Sequence, residues 1–263
     1  MTPEVYGWRA RIGLILPVDN AILEPELSSL RLPGVTFHTF RLTETSPEKM
    51  RDEAIALAPS INEFGLDAVV YACAETSFNE SGTTESPLSK VMAVRVRRPV
   101  ITATDALVLA AEQMNASQVA VVTPYSRTSG AVLEEVLKTK ELCVVSALHR
   151  DFSLETDDRR VWFLTNRIPA TEIYEMAKRV DVSAADTLLI ISTNLSTFPI
   201  IHRLERDLGK TVVTSNQSIV WWCLRTLGLS HDSLLLGRLC DPGVVTAQAP
   251  PRTDSASMIR SSL

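Results

Sequence analysis

The chain has 263 residues, of which 45% are hydrophobic and 22% charged, with a formal net charge of −5. That apolar content fills one large core or two ordinary ones, and the acidic balance argues against nucleic acid as a partner. No apolar run is long enough for a membrane span, so no membrane partner is expected.

The opening stretch, Met1-Thr-Pro-Glu-Val-Tyr-Gly-Trp8, has no basic n-region and no apolar h-region, so no signal peptide is expected. Short apolar, β-branched runs then alternate with helical patterns. Strands are predicted at Ile12–Leu16, Val35–Phe40, Ala68–Ala72 and Val100–Thr102, and again at Val119–Thr123, Cys143–Ala147, Leu188–Ile191 and Val212–Thr214. Continuous apolar runs of this length suit parallel strands covered on both faces. Helices are predicted near 48–63, 104–114, 128–139, 170–180, 198–207 and 217–227. Glu24-Pro-Glu26 reads as a helix start, where acidic side chains meet the positive end of the dipole. The densest basic stretch, Arg95-Val-Arg97-Arg98, fits a helix end entering a strand. From Asp241 onward, Pro242-Gly, Pro250-Pro and many Ser and Thr residues predict an irregular tail over 241–263.

Three segment pairs occur in the same order in both halves. Ile12-Gly-Leu-Ile-Leu-Pro17 pairs with Val119-Ala-Val-Val-Thr-Pro124. Asp67-Ala-Val-Val-Tyr-Ala-Cys73 pairs with Asp186-Thr-Leu-Leu-Ile-Ile-Ser192. Pro99-Val-Ile-Thr-Ala103 pairs with Thr211-Val-Val-Thr-Ser215. The expected fold is therefore α/β, with two pseudo-twofold-related lobes, each a four-stranded parallel sheet flanked by helices. Lobe 1, carrying Cys73, takes residues 1–116 with part of the C-terminal region, and lobe 2, carrying Ser192, takes 117–240.

Ligands of open parallel sheets bind beyond the carboxyl ends of the strands. Those ends here are Pro17-Val-Asp-Asn20, Cys73-Ala74-Glu75-Thr-Ser77, Pro124-Tyr125-Ser126 and Ser192-Thr193-Asn194. The last strand of each half ends in Thr102-Ala-Thr104 and Thr214-Ser-Asn216. Small hydroxyls, amides and one thiol dominate, and helices are expected to begin there, so an anion such as a substrate carboxylate is favoured. Cys73 is the leading catalytic candidate, because a thiol at a helix N-terminus is expected to ionise readily. Ser192, its counterpart, reads as a hydrogen-bonding partner or as a helix N-cap. Tyr125 and Asn20 are candidate donors to the anion. Beside a carboxylate ligand, Glu75 should point away, be protonated or meet a cationic part of the substrate.

Cys143 and Cys223 fall inside apolar patterns and read as buried structural thiols. The wide spacing of Cys73, Cys143, Cys223 and Cys240 predicts reduced thiols in a cytoplasmic protein. The four histidines are scattered too, so no metal site is expected. Burial is the simplest reading of Trp221 and Trp222.

The chain resembles the aspartate/glutamate racemase superfamily, and most of all its branch containing maleate cis-trans isomerase and arylmalonate decarboxylase. The resemblance rests on Arg11-Ile-Gly-Leu-Ile-Leu-Pro-Val-Asp-Asn20, Tyr71-Ala-Cys73 with Ser77-Phe78, Val122-Thr-Pro-Tyr125, Ser192-Thr-Asn-Leu-Ser-Thr197 and Leu236-Gly-Arg-Leu239. It implies flavodoxin-like lobes, a cofactor-free site between them and a homodimer. It also matches Cys73 to the first-lobe cysteine, regarded in maleate isomerases as the nucleophile, Ser192 to the second-lobe position, and Asn20 and Tyr125 to contacts with the substrate carboxylate. The strand-end reading adds Pro17, Ala74, Glu75, Thr193 and Asn194 around a small carboxylic or dicarboxylic acid. The chain departs from the family in two places. Serine stands where a second cysteine is expected, and Asp151-Phe-Ser-Leu-Glu155 occupies the region of a family asparagine. The implied activity is cysteine-dependent isomerisation of an unsaturated or α-substituted acid. Decarboxylation of a substituted malonate, racemisation, hydrolysis through Cys73 and non-catalytic acid binding are the alternatives.

Overall fold

A computed structural model of the chain describes residues 5–80, 87–156, 162–229 and 236–241. The first half runs β1 (Ala10–Pro17), α1 (Leu23–Ser29), β2 (Val35–Leu42), α2 (Pro47–Ala56), α3 (Ala58–Phe64), β3 (Ala68–Tyr71), α4 (Ala74–Glu80), α5 (Pro87–Val96), β4 (Val100–Thr102) and α6 (Ala103–Gln113). The second runs β5 (Gln118–Thr123), α7 (Arg127–Thr139), β6 (Cys143–His149), α8 (Trp162–Thr165), α9 (Ala170–Val180), β7 (Thr187–Ile190), α10 (Ile201–Leu208), β8 (Thr211–Thr214) and α11 (Ser215–Thr226).

The strands form two four-stranded parallel sheets with the same order, β2-β1-β3-β4 and β6-β5-β7-β8. All eight expected strands are present, and the matched segments take equivalent places in the two sheets. The acids that open the central repeat do one job twice. Asp67 accepts the Arg11 N–H at 2.8 Å, and Asp186 accepts the Gln118 N–H at 2.8 Å. Each carboxylate thereby pins the start of its own strand to the strand beside it. The helix following each last strand is capped alike. Thr102 accepts from the Asp105 N–H, and Thr214 accepts from the Gln217 N–H in a capping box.

One expectation fails within the first half. The helical stretch near 48–63 is two helices, because Pro59 sits in the first turn of α3. Proline lacks an N–H and its ring crowds the preceding turn, so the chain restarts at Leu57. The expected irregular tail lies outside the described residues from 242 on. Cys223 and Trp221 are buried and Trp222 is half-buried, whereas Cys143 is exposed. It opens an edge strand, where the apolar run begins before the sheet covers it.

α11 packed on α6 joins the halves, and a buried carboxylate is among the polar groups that link them. Glu24 and Glu26 do fall in the first turn of α1, and Glu26 is also buried. It accepts the N–H groups of Thr197 at 2.6 Å and Phe198 at 2.8 Å, and the Asn216 amide at 2.7 Å. Burial pushes the Glu26 carboxyl up, and these donors oppose the shift. Glu26→Ala strands three buried donors, so urea unfolding should report a loss of about 3 kcal/mol.

Candidate active site

Both sheets turn their carboxyl ends toward a cavity of about 440 Å³. Pro17 ends β1, Cys73 follows β3, Tyr125 follows β5 and Ser192 follows β7. Pro17, Asn20, Cys73, Ala74, Glu75, Tyr125, Ser192, Thr193 and Asn194 all line it. The ends of the last strands do not. Thr102 and Thr214 cap helices, the Thr104 hydroxyl bonds Ser77 at 2.7 Å, and Asn216 serves Glu26.

Cys73 stands immediately before α4 and is the one thiol among the lining residues. Its acidity is the opposite of the expectation from its place. Although the side chain is partly open to the cavity, its removal from bulk water pushes the thiol up to about 11. Hydrogen bonds from Thr76 pull it down, and the carboxylates of Glu75 and Asp19 add to the rise. Desolvation and two like charges outweigh one short helix terminus.

Ser192 does not begin a helix. Turns follow it, and α10 starts only at Ile201. Its hydroxyl instead accepts the Asn194 N–H at 3.1 Å, which closes a tight local turn. Tyr125 is buried with its hydroxyl in hydrogen-bonding contact with Ser192. Burial and the nearby Glu75 and Cys73 raise it well above the usual phenol range, so it remains a neutral donor. Its ring packs on Phe78 of α4 with centroids 5.5 Å apart. Its N–H donates to Thr123 Oγ1 at 3.3 Å, and that hydroxyl is hydrogen-bonded to His149 at 2.8 Å. His149 in turn meets Glu134 at 2.8 Å, so a polar chain braces the Tyr125 turn from outside.

Asn20 lines the cavity, but its amide is engaged within the protein. Nδ2 donates to the Thr193 carbonyl and hydroxyl at 3.1 Å each, while Oδ1 accepts the N–H groups of Ile22 and Leu23. This is the Asx turn open to any such residue before a helix. Asn194 reciprocates, accepting the Ala21 N–H at 3.1 Å and donating to Asp19 Oδ2 at 3.2 Å. Glu75 does not point away. It lines the cavity, accepts the Ser129 hydroxyl at 2.8 Å and is pushed up, first by burial and then by Asp19.

Sequence reasoning did not single out Asp19, Thr76, Asp151, Phe152 or Thr165, which also line the cavity. Asp19 could have been found, since it lies within the β1 strand end already chosen. Asp151 and Phe152 stand in the segment that departs from the family pattern.

The pattern of the arylmalonate decarboxylase family matches residues 12–240. The chain belongs to that family. Its curated relatives include the maleate isomerase of Geobacillus stearothermophilus, 24% identical over 87% of this chain and 98% of that enzyme. The maleate isomerase of Nocardia farcinica is 25% identical over 87% of this chain and 94% of its own length. Two solved structures share the fold. One is a serine-for-cysteine variant of the Nocardia farcinica maleate cis-trans isomerase with a covalently bound succinylcysteine intermediate. It has a TM-score of 0.73 and 24% identity, covering 86% of this chain and 98% of that one. The other is a liganded arylmalonate decarboxylase in which one glycine is changed to cysteine and one cysteine to serine. It has a TM-score of 0.75 and 21% identity, covering 88% and 99%.

The raised thiol has a direct readout. Iodoacetamide labelling of Cys73, followed by mass spectrometry, should be slow at pH 7 and climb about tenfold per pH unit toward a midpoint at about 11. A plateau below pH 8 would show the helix terminus outweighing burial.

Proposed function

We propose that this protein is a cofactor-independent enzyme that uses Cys73 on a small carboxylic acid, with cis–trans isomerisation of a maleate-like double bond as its reaction. The single thiol of the cavity, facing the hydroxyls of Tyr125 and Ser192, carries this reading. The chain's curated relatives are maleate isomerases, and one such enzyme carrying a serine for a cysteine still holds a succinylcysteine adduct. A cavity with one thiol and one serine is therefore compatible with thiol addition.

In this mechanism the Cys73 thiol ionises, its proton leaving to solvent. The thiolate adds to one alkene carbon, and the π electrons move onto the adjoining carboxylate as an enediolate. Rotation about the new single bond and expulsion of the thiolate restore the double bond in the trans form. Nothing is oxidised or consumed. Tyr125 and Ser192 hold the oxygens on which charge develops, where a neutral donor in a water-poor site is most effective. Asn20, Thr193 and Asn194 tie the turn that carries Ser192 to the turn beyond β1, and Thr123 braces the turn that carries Tyr125.

The high thiol pKa favours a second reading, decarboxylation of a substituted malonate. There the Cys73 thiol, already protonated at neutral pH, gives its proton to the enediolate left by carbon dioxide. We further read residues 1–116, with part of the C-terminal region, as the Cys73 lobe and 117–240 as the Ser192 lobe. A cytoplasmic location, in line with the free thiols, and a homodimer, which the family resemblance implies, complete the reading.

Proton NMR of small mono- and dicarboxylates in deuterated water tests both reactions together. Isomerised alkene signals support the first reading, and loss of carbon dioxide from malonates the second. Cys73→Ala should remove activity by about 10³-fold or more, whereas Ser192→Ala should leave activity within about 10²-fold of the parent. Activity retained in Cys73→Ala would overturn both.

A further inference from the structure

Behind the wall that carries Tyr125, three elements of the second half meet in one hydrogen-bonded relay. It starts at Glu134 of α7, passes through His149 at the end of β6 and Thr123 at the end of β5, and finishes at the Tyr125 N–H. Glu134 and His149 are half-buried and Thr123 is fully buried. Of these four residues only Tyr125 lines the cavity. The His149 ring also lies against α7. A Cβ on Gly130 would come within 2.6 Å of its Cγ and Cδ2. Glycine inside a helix ordinarily weakens it, and here it admits the ring. The ring is therefore held at both nitrogens and on one face.

The order of donors along the relay follows from its ends. A carboxylate only accepts, so Nε2 of His149 carries a hydrogen toward Glu134. An imidazole with that hydrogen leaves Nδ1 as an acceptor, and the Thr123 hydroxyl gives it its single hydrogen. Thr123 Oγ1 then has only lone pairs to offer, and one of them takes the Tyr125 N–H. Pro124 has no N–H, so this bond is the one that closes the turn from Thr123 to Tyr125. Without His149 the buried hydroxyl loses its acceptor and is free to swing its hydrogen toward the Tyr125 N–H, where donor faces donor.

We infer that His149 is a positioning residue for the reaction, directing the Thr123 hydroxyl so that the Tyr125 turn holds the phenol against charge developing on the substrate. This deepens the proposed function and rests on it for the role of Tyr125 as donor. His149 itself touches no reacting atom. Phe78 steadies the Tyr125 ring from the first half, and the relay steadies its backbone from the second. A donor aimed where charge develops works because it is fixed in advance. A small displacement of the turn therefore lowers turnover more than binding.

NMR of isotopically labelled tyrosine rings tests the placement without turnover, the Tyr125 signal being assigned by its loss in Tyr125→Phe. His149→Phe keeps a ring beside Gly130 and removes both hydrogen bonds. It should move the Tyr125 signal, Thr123→Val should move it in the same direction, and the Tyr71 and Tyr174 signals should stay. His149→Asn, whose Oδ1 can take the place of Nδ1, should return the signal toward that of the parent. His149→Gln, which reaches toward Glu134 instead, should not. With maleate as the probe, His149→Phe should lower kcat about tenfold with KM within about twofold, the scale of one hydrogen bond. Added to Tyr125→Phe, it should cost less than about twofold more, because both act through one hydroxyl. Thr123→Val carries the comparison if His149→Phe does not fold. A Tyr125 signal unmoved by both variants, equal losses in His149→Asn and His149→Phe, or kcat losses that multiply in the double variant would each overturn the inference. A moved signal in a protein that does not turn over maleate supports the placement and overturns the isomerase reading alone.

Discussion

Thr193 is the joint on which the site depends. Its hydroxyl donates to the Ala72 carbonyl at 2.9 Å, one residue before Cys73. The same hydroxyl and the Thr193 carbonyl both accept from Asn20. One residue after Ser192 is thus fastened to the strand end that presents the thiol and to the turn beyond β1. These groups are buried, where a hydrogen bond left unmade costs most. The separation of Cys73 from Ser192 is therefore set by short polar contacts at the sheet ends. Helix packing, α11 on α6 above all, brings the two halves together, and Thr193 ties their sheet ends.

Much of the architecture was legible before any coordinates. Six of the eight apolar runs predict strands that are buried in a parallel sheet, the edge strands β2 and β6 are only partly covered, and the repeated order of Asp67 and Asp186 predicts equivalent places. The same reasoning broke down where context overrides a local signal. Pro59 divides a stretch whose apolar pattern runs on. Ser192 looks like a helix cap because polar residues follow it, yet those residues turn back on the other half. Glu26 reads as a first-turn acid, and only the assembled fold reveals the donors from 171 and 172 residues away.

The thiol shows the same limit in its chemistry. A cysteine before a helix suggests low pKa, and that local rule omits Glu75 and Asp19. Glu75 is adjacent in sequence, but its orientation is set by Ser129 on α7 in the other half. Asp19 is remote in sequence and arrives through the β1 turn. An internal repeat can thus be read from its residues, whereas the electrostatics between its copies cannot. They depend on which side chain of one half answers which of the other.

The lacing at Thr193 has a consequence for how the molecule comes into being. Asn20 and Ala21 wait 173 residues for their partners, and Ala72 waits 121. During synthesis the first sheet can be complete while its catalytic edge has nothing to bond. Contacts of such long sequence separation are slow to close, since the loop entropy is lost before the bonds are gained. The active-site edge therefore acquires its structure only once the second half has been made, and a chain that ends before residue 193 has every atom of Cys73 and no site around it.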